Sequence, residues 1–110
     1  MAFDEQLAAR IRKQLGKKKG IVEKKMFGGV AFLLRGNMCV GVHSNELIVR
    51  VAPADTDDAL AQKHTRVFDL SGGRPMKGWI LVEPKGLDGE DALAKWVDIG
   101  VKFAESLPAK

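Results

Sequence analysis

The sequence predicts an α+β domain built on an antiparallel sheet. Three observations carry that class. Apolar residues recur at helical spacing near both ends of the chain. Between them lie short apolar and β-branched runs, four to six residues each. The runs are separated by turn formers and one short helical stretch, so they join as hairpins rather than as parallel crossovers. The predicted order is α-βββ-α-ββ-α, with about five strands in one domain spanning residues 1–110.

Phe3, Leu7, Ile11 and Leu15 repeat every four residues and form one stripe of a helix. Asp4 is placed to cap its start, and Gly16 or Gly20 to end it. Three strands follow, Val30–Leu34, Met38–Val42 and Leu47–Val51. The links "RGN" (Arg35–Asn37) and "HSNE" (His43–Glu46) are short and rich in turn formers, which predicts a meander. Asp55 or Thr56 caps a short helix through Gln62, and Arg66–Leu70 reads as a weaker strand. "SGGRPMKG" is a loop by composition, and "WILVEP" is an apolar strand stopped by Pro84. In the last segment Asp88 is a helix cap, Leu93, Trp96, Gly100, Phe103 and Leu107 share a face, and Pro108 stops the helix.

Composition narrows the function classes. With 45% hydrophobic residues the chain suits a globular domain, and no apolar run is long enough to cross a membrane. The start "MAFDEQLAAR" lacks the layout of a signal peptide, and the lone Cys39 excludes an internal disulfide. Both point to the cytoplasm. The charge is concentrated. Residues 1–25 hold eight Lys/Arg against three Asp/Glu, whereas the remaining 85 hold ten against eleven.

Gly28-Gly29 raises the question of a phosphate loop. Such a loop needs a helix after its glycines, and here the strand "VAFLL" follows. A bend or bulge is the better reading, with positive φ at one glycine or the other. Cys39 and His43 would share a strand face but sit ~13 Å apart, too far for one ion. With His64 they exhaust the soft ligands, so no metal is expected. Asp55, Asp57 and Asp58 cluster where a helix begins, which its dipole alone favours. Glu83 has no evident partner, and Ser44, Ser71 and Ser106 lack a nucleophile elbow. No cofactor and no catalytic set is expected.

The basic run "KKKGIVEKK" is the main nonstructural signal. Lys17, Lys18, Lys19, Lys24 and Lys25 could neutralise phosphates without reading sequence. Arg74 and Lys77 would extend that surface if the fold brings their loop near. The competing reading is a solvated helix end. The few aromatics fall at apparent core positions, which argues against base stacking.

"MFGGVAFLLRGNMCVGV", then "ELIVRVAP", "GRPMKGWILVEP" and "LAKWV", resembles the N-terminal domain of the TfoX/Sxy family of bacterial competence regulators. The resemblance spans residues 20–105 and is most specific at Met26–Gly29 and Pro75–Pro84. It implies a two-layer fold with an antiparallel sheet, similar to secretion-chaperone-like folds, and a non-enzymatic regulatory role. Two-domain members of the family work with the cyclic-AMP receptor protein at competence promoters. The 110 residues here correspond to the first domain, so that activity is not carried over whole. The expectation is a transcription-regulatory module with a protein or DNA partner. The alternative is an interaction or dimerisation module with no nucleic-acid role. A protein partner or a homodimer is expected, with DNA contact weak and no membrane contact.

Overall fold

Asp4 starts the first helix. Its Oδ1 accepts hydrogen bonds from the amides of Gln6 (2.9 Å) and Leu7 (3.1 Å), satisfying two donors that the first turn leaves unpaired. The computed structural model describes residues 4–16, 20–26, 29–68 and 78–108. Over these residues the chain forms α1 (Glu5–Leu15), β1 (Ile21–Met26), β2 (Gly29–Leu34), β3 (Asn37–His43), β4 (Glu46–Arg50), α2 (Thr56–Leu60), β5 (Thr65–Val67), β6 (Trp79–Val82) and α3 (Glu90–Glu105).

The strands form one antiparallel sheet in the order β1-β2-β3-β4-β6-β5. Among the described residues it has six strands, where the sequence predicts about five. The additional strand is β1, within the basic run that also read as a solvated helix end. A turn at Gly20 (φ 87°) separates it from the residues before it. Met26 pairs with Gly29, so β1 and β2 are joined through two residues. The β2–β3 link is a tight turn at Arg35 and Gly36. Both have positive φ, 52° and 86°, the twist that a two-residue hairpin needs.

Register sorts the side chains. Val30, Phe32 and Leu34 of β2, Val40 and Val42 of β3, Leu47 and Val49 of β4, and Ile80 and Val82 of β6 lie on one face. α1 and α3 cover that face with Leu7, Ile11, Leu15, Leu93, Trp96 and Val97. Ala31, Met38, Ile48 and Leu81 point the other way and form a smaller core with Phe68. The Phe68 and Trp79 ring centroids there are 5.8 Å apart. Arg10 fastens the helices together. Its guanidinium donates to the Leu87 carbonyl (2.7 Å) and to Glu90 Oε1 (3.0 Å). Hydrogen bonds from Arg10 and then Gln14 hold the Glu90 carboxyl below its ordinary range.

Two helix starts differ from expectation. Asp88 does not cap α3; Gly89 holds that position with φ 82° and no side-chain cap. Asp55 precedes α2 without a capping bond, and Thr56 instead accepts from the Gly78 amide through Oγ1 at 2.8 Å. Both starts are entered through 3-10 turns, Pro53–Asp55 and Pro84–Leu87, which set the entry angle without a cap.

β3 carries a bulge. Phe32 pairs with Val40 and Leu33 with Met38, which leaves Cys39 as the extra residue. The Cys39 thiol lies 3.1 Å from the Phe32 carbonyl oxygen. α3 crosses the bulge at Gly100, where a Cβ would overlap the Cys39 carbonyl oxygen and approach Val40 Cγ1 to 2.8 Å. Gly29 is likewise a packing glycine. Its φ is not positive, so the expectation of positive φ at one glycine or the other is left to Gly28, but a Cβ at Gly29 would overlap the Val42 carbonyl oxygen. Gly28 lies outside the described residues.

Alanine at an ordinary mid-helix glycine gains roughly 1 kcal/mol. At Gly100 the sign should reverse. Gly100→Ala and Gly29→Ala should each destabilise by about 1–3 kcal/mol, the range for overpacking. Urea unfolding of the two variants measures this, and a gain in stability for Gly100→Ala would contradict the contact.

Candidate interaction edge

Sheet order leaves two edges. β5 has three residues, and the Thr65 hydroxyl ties it to the end of α2 by donating to the Gln62 carbonyl (2.8 Å). β1 has six residues. The Arg35 amide donates to the Gly20 carbonyl at 3.2 Å, so residues 20, 22, 24 and 26 turn their backbone groups toward β2. Ile21, Glu23 and Lys25 therefore turn theirs outward. They have no backbone partner among the described residues.

The side chains of β1 alternate between faces. Glu23 and Lys25 lie on the helix-bearing side, opposite Phe32 and Val30. Val22 and Lys24 lie on the other side, opposite Leu33 and Ala31. Val22 is 52% exposed, and it is the one large hydrophobic side chain exposed among the described residues. Glu23 is held from behind by Arg12 of α1, with Nε–Oε1 at 2.6 Å and Nη2–Oε2 at 2.8 Å. That hydrogen-bonded pair holds the Glu23 carboxyl below its usual range and raises the Arg12 guanidinium.

Lys24 and Lys25 are thus exposed on β1 but on opposite faces of the sheet. Lys17, Lys18, Lys19, Arg74 and Lys77 lie outside the described residues. Two further basic residues of the first quarter, Arg10 and Arg12, are committed to Glu90 and Glu23. Sequence reasoning missed Ile21–Met26 as a strand, along with the Arg12–Glu23 pair. The available signal was "IVEKKMFGGVAFL", two extended runs separated by a glycine-containing link.

The other candidate ligands do not converge. Cys39 faces the helices because of the bulge, whereas His43, one residue past inward-facing Val42, faces away. They do not share the strand face that simple alternation assigns them. His43 lies opposite Glu46, whose carboxylate accepts both a 2.8 Å and a 2.5 Å hydrogen bond from Arg66. Among the described residues no group of three His, Cys, Asp or Glu could hold a metal ion. No described helix is long and apolar enough to cross a membrane. Shallow grooves flank α3. One of about 520 Å³ runs along α1, and one of about 390 Å³ beside α2 has Asp55 and Asp58 on its rim.

The family model of the TfoX N-terminal domain matches residues 13–104, which run from within α1 to the last turn of α3. The chain belongs to the TfoX N-terminal domain family. Its two-layer sheet with helices on one face agrees with the fold expected from the resemblance. The match takes in β1 and every strand after it, so the open edge lies inside the TfoX N-terminal domain. No curated protein and no solved structure matches the chain.

The Arg12–Glu23 pair has a pH signature. A carboxyl lowered in the folded state adds stability above its unfolded pKa of about 4.3, and that stability is lost as pH falls through the lower folded value. Both partners are more than a third exposed, so the gain is at most about 1 kcal/mol. Glu23→Gln should lower stability slightly near neutral pH and leave it unchanged in strong acid. Denaturant midpoints at the two pH values check this.

Proposed function

We propose that the chain is a regulatory interaction module. It holds a partner along β1 and does not catalyse a reaction. The setting is the transcription regulation in which TfoX/Sxy proteins work. The observation that carries this reading is the β1 edge. Three residues there present backbone donors and acceptors with no partner among the described residues, with an exposed valine between them. An extended edge of this kind adds a strand from another chain through main-chain hydrogen bonds.

Direct DNA contact is the second reading, and the exposed Lys24 and Lys25 favour it. Together with Lys17, Lys18, Lys19, Arg74 and Lys77 they would form the contact surface. Two features weigh against a shaped DNA site. Lys24 and Lys25 project from opposite faces, and Arg10 and Arg12 are already paired with carboxylates. Basic side chains so arranged suit weak, sequence-indifferent attraction to phosphates.

Titration of duplex DNA at several salt concentrations separates the two readings. An interaction module should bind unrelated sequences alike, with affinities on the order of micromolar to a hundred micromolar at physiological salt. The salt slope should flatten when Lys17, Lys18, Lys19, Lys24 and Lys25 are replaced by glutamine. A tighter complex that prefers one sequence would replace the interaction reading with direct DNA recognition.

A further inference from the structure

We infer that the partner fitting the β1 edge is a second copy of this chain, docked antiparallel with the two-fold axis passing through Val22. The inference rests on the reading of β1 as an interaction edge and names its occupant. It follows from the register of the strand and the order of its charges.

Opposed residues in an antiparallel pair have the same hydrogen-bonding character. Only Ile21, Glu23 and Lys25 turn their backbone groups outward, so odd residues of one copy must face odd residues of the other. A two-fold axis then passes through a residue and sets it opposite itself. An axis at Glu23, Lys24 or Lys25 sets like charges directly opposite, which is destabilising. An axis at Ile21 or Met26 lies at an end of the strand and shortens the ladder. Val22 remains.

With the axis there, Ile21 faces the partner's Glu23 and Glu23 faces the partner's Ile21. Each of these pairs exchanges backbone hydrogen bonds. Val22 meets the partner's Val22 in a non-hydrogen-bonded pair, the closer of the two antiparallel spacings. Half-buried Leu33 stands beside Val22 on the same face, so each copy adds a Leu-Val pair to one apolar strip. Lys24 faces the partner's Gly20, which presents no side chain. Lys24 also flanks the valines, where its aliphatic stem can cover them while the ammonium stays in water. Arg12 keeps each Glu23 paired on the helix side. The two six-stranded sheets become one continuous sheet through their β1 strands.

Light scattering from micromolar to millimolar protein tests the occupant, and cysteine pairing tests the register. The mass of the natural chain should rise with concentration from 12.0 kDa toward twice that value. Val22→Lys, at an exposed position, should hold it at 12.0 kDa with an unchanged circular dichroism spectrum. Residues opposed in a non-hydrogen-bonded pair have Cα atoms about 4.5 Å apart, within the span of a disulfide. Val22→Cys should therefore give a covalent dimer under mild oxidation. Lys24→Cys should not, because its copies would lie ~13 Å apart along the strands. Buried Cys39 is shielded from the reaction in both variants. A mass of 12.0 kDa at every concentration, or cross-linking through Lys24→Cys in place of Val22→Cys, overturns the inference. A monomer would leave the interaction edge itself to the DNA titration, so the two failures are read separately.

Discussion

The contact between Gly100 and the Cys39 bulge governs how the two layers meet. A helix normally stands off a sheet by the length of the side chains between them. Here α3 reaches the β3 backbone because Gly100 presents no side chain and the extra residue on β3 brings a carbonyl to meet it. That approach sets the depth at which Leu93, Trp96 and Val97 enter the main core. It also brings the end of α3 within reach of the β2–β3 turn, where buried Asn37 donates to the Pro108 carbonyl at 2.8 Å. The covered face of the sheet is organised around this crossing, and the β1 edge lies two strands away from it.

Much of this was legible in the sequence because the residues concerned act locally. Asp4 caps α1 through amides two and three residues away. The stripes on α1 and α3 follow helical spacing, and the glycine in the β2–β3 turn marks a hairpin. Three features were not legible, each for a physical reason. β1 is an edge strand, so its two faces carry charge where a central strand would carry apolar residues. The Cys39 bulge breaks strict alternation, which is why Cys39 and His43 fall on opposite faces. The start of α3 is set by the Pro84–Leu87 turn and Gly89, and a good capping residue one position earlier has no part in it.

The candidate site was less legible than the fold because charge in a sequence does not show what the charge is used for. The basic first quarter looks like one surface. In three dimensions Arg10 joins α1 to the start of α3, Arg12 braces β1 against α1, and Lys24 and Lys25 diverge. Four of its eight cations are thereby accounted for by position, two of them in ion pairs within the domain. What marks β1 out is its backbone, whose outward donors and acceptors have no partner among the described residues, and a composition profile does not record that.

The placement of β6 has a consequence for how the chain assembles. β1 to β4 are successive hairpins, and each closes through a link of two residues or so. β6 pairs with β4 only after residues 51–78 have been drawn into a loop, with β5 then on its far side. Loop-closure entropy opposes that step far more than it opposes any hairpin of the meander. A partly assembled chain would therefore hold β1–β4 together while β4 still had a bare flank. That flank is Leu47, Ile48 and Val49, far more apolar than β1, so during synthesis the central strand, and not the charged edge of the finished domain, is the surface most exposed to mispairing.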